Sequence, residues 1–176
     1  MQDDTLAFIK HIITERSIAR ILELGGGFGF GTIRLADISQ ADIISIEIDH
    51  DRCDMAKKQV EAAHYSARVQ VIEGDALTID PLPLGKFGLI IIDAAKTKYQ
   101  RLFERYAPIL ENGGVMLSDN VLFRGQVQHP ETILSRNRRQ LVQKITRYNE
   151  WLSQLEHYET TFYDIGDGIA VSIKKE

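Results

Sequence analysis

Short β-branched and apolar runs alternate with helical patterns along almost the whole chain. Leu6, Ile9, Ile12 and Ile13 recur at three- and four-residue spacing, which predicts a helix face before the first strand. Residues 19–24 read as that strand and run into Glu23-Leu24-Gly25-Gly26-Gly27-Phe28-Gly29. The helical period resumes at Thr32, Ile33, Leu35 and Ala36. Further strands are expected at residues 43–48, 69–72, 89–92 and 115–117. Helices are expected at 53–64, 99–110 and 134–155. Pro81-Leu82-Pro83-Leu84-Gly85 predicts a loop, and Asn112-Gly113-Gly114 predicts the stop of the helix before it. Strands at 160–165 and 169–173, joined by Gly166-Asp167-Gly168, read as a closing hairpin.

Repeated strand–helix units imply an α/β fold with a mostly parallel sheet and right-handed crossovers. The terminal hairpin adds one antiparallel strand. A chain of 176 residues is expected to form a single domain, residues 1–176, with helices on both faces of its sheet. Ligands in such sheets sit at the carboxyl ends of the strands. Glu47, Asp75, Asp93 and Asp119 all fall at such ends, and this convergence points to one polar site.

The net charge of -4 excludes a wholly basic nucleic-acid binder but leaves room for a local basic patch. The single cysteine, Cys53, cannot form an internal disulfide and fits a reducing cytosol. Met1-Gln2-Asp3-Asp4 lacks a signal-peptide pattern, and no apolar run reaches membrane-spanning length, so a cytoplasmic protein without a membrane partner is expected.

The strand–glycine–helix junction brings backbone close to a nucleotide-like ligand. The dinucleotide fingerprint wants glycine at its first, third and sixth positions. The sixth position is Phe30 counted from Gly25, Thr32 from Gly27 and Arg34 from Gly29, so no frame fits. No Gly-Lys-Ser/Thr closes a P-loop either. An acid before a glycine cluster, without a diphosphate cradle, suits S-adenosylmethionine. Glu47, roughly 20 residues past the turn, is placed to accept both ribose hydroxyls. Asp75 is a candidate for the adenine amino group, although Gly-Asp is also an ordinary turn. Asp93, Asp119 and Asn120 offer hard oxygen ligands that suit Mg²⁺. Asp119-Asn120 also suits a simple turn. His11, His50, His64, His129 and His157 are scattered, so no zinc cluster competes. Lys96, three residues after Asp93, reads either as a base beside a metal or as a surface lysine at a helix start.

The run Phe87-Gly88-Leu89-Ile90-Ile91-Ile92-Asp93-Ala94-Ala95-Lys96 resembles the metal-dependent O-methyltransferases of the catechol and caffeoyl-CoA type. The fuller resemblance is to bacterial tRNA 5-hydroxyuridine methyltransferases. It is carried by Asp119-Asn120-Val121-Leu122-Phe123-Arg124-Gly125, by Arg138-Arg139-Gln140-Leu141-Val142 with Tyr148-Asn149-Glu150-Trp151-Leu152, and by Ile165-Gly166-Asp167-Gly168-Ile169-Ala170. It covers essentially the whole chain.

The resemblance implies a Rossmann-like class I methyltransferase fold with a seven-stranded sheet. It implies Mg²⁺, or another divalent cation, on Asp93, Asp119 and Asn120. It implies S-adenosylmethionine on Glu23, Gly25, Gly27, Gly29, Gly31, Glu47, Asp75, Ala76 and Asp93, with Lys96 as the base. It further implies methylation of 5-hydroxyuridine at the tRNA wobble position, with a small catechol-like molecule as the alternative substrate. A homodimer is one candidate assembly. Arg124, Arg136, Arg138, Arg139, Lys144 and Arg147 form a basic concentration that could steer an anticodon stem-loop, with Phe123 to stack on a base. A solvated helix face is the plainer reading of those charges.

Two departures from the pattern stand out. Relatives carry an N-terminal helical segment ahead of the point matching Met1, so a more exposed cofactor, weaker binding, or transfer of that role to a partner subunit is expected. Gly26, Gly27 and Gly31 predict a looser turn that lacks the serine hydroxyl found in relatives at position 31, and therefore weaker cofactor affinity.

Overall fold

The computed structural model describes residues 2–123, 125–133 and 135–176. Five helices are present among these residues: α1 (Asp3–Glu15), α2 (Phe30–Ile38), α3 (His50–Ala62), α4 (Tyr99–Tyr106) and α5 (Arg136–Ser153). Seven strands, β1 (Arg20–Leu24), β2 (Asp42–Glu47), β3 (Val69–Glu73), β4 (Phe87–Ile92), β5 (Leu110–Asp119), β6 (Tyr158–Tyr163) and β7 (Ile169–Lys174), form one sheet. Its order is β3-β2-β1-β4-β5-β7-β6. The pairings from β3 to β5 are parallel, and β7 runs antiparallel to both β5 and β6.

The central strands read as unbroken apolar runs because both of their faces are covered. Every residue of β4 is buried. Leu22, Ile90 and Met116 face α4 and α5, packing with Tyr99, Phe103, Tyr148 and Leu152. Ile21, Ile91 and Leu117 face the other way, packing with Ile9 and Ile13 of α1, Leu35 of α2 and Val60 of α3. No helix among the described residues is long and apolar enough to cross a membrane.

Several boundaries differ from expectation: β4 begins two residues early, at Phe87, and β5 runs over Leu110–Asp119 where 115–117 is expected. α4 ends at Tyr106, not at 110, and Pro108 follows in a single 3-10 turn. Proline has no N–H to continue the helical ladder. Gly113-Gly114 therefore does not cap that helix. It lies within β5, where the register against β4 slips between Phe87 and Leu89. α3 begins at His50 because the Asp49 side chain accepts the Arg52 N–H at 3.0 Å, a cap in a stretch without apolar residues. β6 starts two residues early, since Tyr158 pairs with Lys174 and sets the hairpin register. The expected start of the last long helix at Leu134 lies outside the described residues.

The strand order reverses between β1 and β4, and the crevice of a doubly wound sheet opens at that point. Gly25, at the end of β1, has φ +101, and a Cβ there would lie 2.4 Å from the Asp93 carbonyl oxygen. Only glycine lets the two strand ends come this close.

Candidate active site

Two cavities lie at the carboxyl edge of the sheet, and Asp93 belongs to both. The first, about 390 Å³, is lined by Gly25, Gly27, Glu47, Ile48, Asp75, Ala76 and Asp93, with Arg52, Lys98 and Leu102. The second, about 220 Å³, is lined by Gln2, Thr5, Asp93, Asp119, Asn120 and Asp167. The acids at the ends of β2 and β3 thus face the first cavity, and those at the end of β5 face the second.

Glu47 is buried, and its carboxylate organises the glycine turn. One oxygen accepts the Gly27 N–H at 2.7 Å and the other accepts the Asp49 N–H at 2.9 Å. Each oxygen keeps a lone pair for a further donor. Asp75 accepts the Leu77 N–H at 2.8 Å. Gly27 has open space beyond its Cα.

Glu23, Gly29 and Gly31, expected at the cofactor, do not line this cavity. Glu23 stands behind the turn, where it accepts hydrogen bonds from the Thr32 and Ser45 hydroxyls. Burial pushes its pKa up, and the two hydroxyls offset part of the rise. Gly29 packs on Ala56 of α3, and Gly31 lies against the Glu23 carboxylate. The turn is not loose at position 26, because a Cβ there would lie 2.0 Å from the Ser45 hydroxyl. Ser45, one strand away, fills the space and supplies a hydroxyl that the sequence reading missed.

Asp93 is pushed up to about 7, first by burial and then by the Asp119 and Glu23 carboxylates, with Lys96 opposing. Asp119 is raised as well, chiefly by burial, while the Asn120 N–H at 2.7 Å lowers it. A buried carboxylate, Asp119, a half-buried one, Asp93, and an amide line one small polar cavity, a donor set whose chemistry fits a hard divalent ion. Lys96 lies in the single turn Lys96–Lys98 that leads into α4. Its Nζ is 5.9 Å from the centre of the Phe123 ring, and its charge acts on both Asp93 and Asp119.

The turn that carries Asp119 and Asn120 is clamped from behind. The Tyr99 hydroxyl donates to the Asp119 carbonyl at 2.8 Å, and Asn149 Nδ2 donates to the Val121 carbonyl at 2.9 Å. Tyr148 and Ser118 share a hydrogen bond at 2.6 Å. Asn120 itself sits at φ +60. None of Tyr99, Ser118, Tyr148, Asn149 or Asp167 is identified as a site residue from sequence. Asp167 had a usable signal, as an acid between two glycines beside the strand that ends in Asp119.

The basic residues divide. Arg139 and Arg147 line a groove of about 450 Å³ with Gln143, Thr146, Glu150, Val127 and Ile133. Arg136, Arg138 and Lys144 are exposed on α5 but do not line it, and Arg124 lies outside the described residues. The histidines are not all isolated: His50 meets Asp54 and Glu73, with ligand atoms within 4.8 Å, on the protein surface.

The O-methyltransferase family matches residues 1–175. The chain is 30% identical over 167 residues to a catechol O-methyltransferase from Niastella koreensis, covering 88% of this chain and 73% of that protein. It spans 66% of the length of a caffeoyl-CoA O-methyltransferase from Stellaria longipes, at 25% identity and with 85% of this chain covered. The crystal structure of a candidate caffeoyl-CoA O-methyltransferase from Staphylococcus aureus superposes with a TM-score of 0.93 and 37% identity, covering 99% of this chain and 84% of that one. An O-methyltransferase from Bacillus cereus, solved with S-adenosylhomocysteine, gives 0.83 and 26%, covering 99% and 82%. With a family match over residues 1–175 and a superposition that covers 99% of the chain, this protein belongs to the O-methyltransferase family.

Proposed function

We propose that this protein transfers the methyl group of S-adenosylmethionine to a hydroxyl standing beside a second oxygen, with the help of a divalent cation. The acceptor is 5-hydroxyuridine at the tRNA wobble position, and the product is 5-methoxyuridine. The observation that carries the reading is the shared wall at Asp93, which sets a nucleoside-sized cavity directly against a small oxygen-lined one.

Glu47 takes the ribose hydroxyls with its spare lone pairs, and Asp75 takes the adenine amino group. Ile48 and Leu102 supply apolar cover for the ring. Asp93, Asp119 and Asn120 hold the cation. When bound, the two groups supply an electrophilic methyl on a sulfonium and a Lewis acid that makes a substrate hydroxyl more acidic. Lys96, in its neutral amine form, would accept the proton of that hydroxyl at Nζ. Asp93, facing both cavities, fixes the distance between donor and acceptor, which is where much of the acceleration arises. Phe123, beside Lys96, offers a ring for the base to stack on. Arg139 and Arg147 face the groove along α5 and suit a phosphate backbone.

Nucleoside mass spectrometry of tRNA carrying 5-hydroxyuridine, after incubation with the protein, S-adenosylmethionine and Mg²⁺, tests this reading. The expected product is 5-methoxyuridine, lost on addition of EDTA. The second reading, a small catechol-like acceptor, is favoured by the catechol and caffeoyl-CoA names of its relatives. Turnover of catechol with the RNA untouched would put it first.

A further inference from the structure

None of the roles assigned above uses Asp167. It sits in the hairpin turn between Gly166 (φ +59) and Gly168 (φ +88), beside the β5–β7 pair. Its backbone carbonyl accepts the N–H groups of Leu122 and Phe123 at 3.0 and 3.1 Å. The turn is thereby tied to the segment that leaves Asp119 and Asn120. A Cβ at Gly168 would lie 2.3 Å from Leu122, so the approach depends on glycine. The Asp167 side chain lines the same 220 Å³ cavity as Asp93, Asp119 and Asn120. Among the described residues its carboxylate has no hydrogen-bond or ion-pair partner.

Two carboxylates already balance one dication. A third, half-buried at the same cavity and without a donor of its own, is free to accept a hydrogen bond from a bound ligand. The acceptor proposed above has one in the right place. The edge of 5-hydroxyuracil presents the 5-hydroxyl, the 4-keto oxygen and then the N3–H, in that order. A catechol presents two oxygens flanked by C–H groups. Asp93, Asp119 and Asn120 define the oxygen-seeking part of the cavity, and Asp167 lies beside Asp119.

We propose that Asp167 is a specificity residue that accepts a hydrogen bond from the N3–H of the substrate base and so separates a hydroxyuracil from a catechol. The inference rests on the uridine reading of the site. A site built to bond a substrate N–H rejects analogues that lack it, because its buried polar group is then left unpaired.

The test uses the full chain and two anticodon stem-loops, one with 5-hydroxyuridine and one with its N3-methyl counterpart. The wild type is expected to prefer the N3–H substrate by about 100-fold in kcat/KM. Asp167→Ala should abolish that preference, and Asp167→Asn should restore part of it through the amide oxygen. Calorimetric titration with Mn²⁺ should give affinities within about threefold for all three proteins, since Asp167 is not assigned to the cation. An unchanged preference in Asp167→Ala, or a tenfold loss of Mn²⁺ affinity, overturns the proposal while leaving the uridine reading intact. Failure of the wild type to methylate either RNA overturns both.

Discussion

The two sides of Asp93 are built differently. The donor side is made of short contiguous pieces: a glycine turn, a strand-end acid and a Gly-Asp turn. Its side chains are held by backbone N–H groups a few residues away or one strand over, as Glu47 is by Gly27 and Asp49. The acceptor side is put together across the fold. Asp119 ends β5 and Asn120 follows it, Asp167 comes from the turn before β7, Gln2 caps α1 and Thr5 comes from its N-terminal end, and the clamps Tyr99 and Asn149 come from α4 and α5. The side proposed for the donor is thus local in sequence, whereas the side proposed for the acceptor draws on long-range pairing.

The largest expected effect lies on the acceptor side. Asp119→Ala should lower methyl transfer by about a thousandfold, the scale of several kcal/mol of charge stabilisation. Its affinity for S-adenosylmethionine should stay within about threefold of wild type by calorimetry, with circular dichroism unchanged. A matching loss of donor affinity would mean that the two cavities are not separate. Next comes Lys96→Met, expected to cost about 100-fold in kcat through the lost proton acceptor. Single-turnover rates would check it, and an unchanged rate would remove Lys96 from the chemistry.

Glu47→Gln probes the opposite side. It should weaken S-adenosylmethionine binding by about 10- to 100-fold, the range for a hydrogen bond to a charged group. Cation affinity should not move. If Mn²⁺ binding falls too, the separation between the two sides is weaker than their lining residues suggest.

The smallest expected effect concerns Glu23, behind the glycine turn. Its folded-state pKa is raised, so the stability it leaves intact is fully present below the ordinary glutamate value and is lost as the pH climbs towards the folded value. Glu23→Gln should therefore melt like the wild type at pH 4 and a few degrees higher at pH 8. A lower melting temperature at pH 8 would show that the carboxylate is ionised and stabilising in the turn.

The same contrast explains what could be read from the residues alone. The sheet, its closing hairpin and the acids at strand ends follow from apolar period and position, because those signals are local. Glu47, Asp75 and Asp93 lie at one cavity for that reason. Glu23 does not line the cavity, since an acid before a glycine cluster does not reveal which way a strand residue points, and here Thr32 and Ser45 take it from behind. Asp167 and Asn149 were missed because their neighbours, Asp119 and Val121, are far away in sequence. Strand order and helix docking bring them together, and neither is written in a motif. α4 ends before the glycines because Pro108, in the turn that follows, has no N–H to extend the ladder.

Asp93 lines both cavities, the one proposed for the methyl donor and the one proposed for the cation and acceptor. Anomalous diffraction from a crystal grown with S-adenosylhomocysteine and Mn²⁺ tests that assignment most directly. One strong manganese peak bounded by Asp93, Asp119 and Asn120 is expected, with the ribose on Glu47. A peak at His50, Asp54 and Glu73 with none beside Asp119, or a nucleoside away from Glu47, would contradict it.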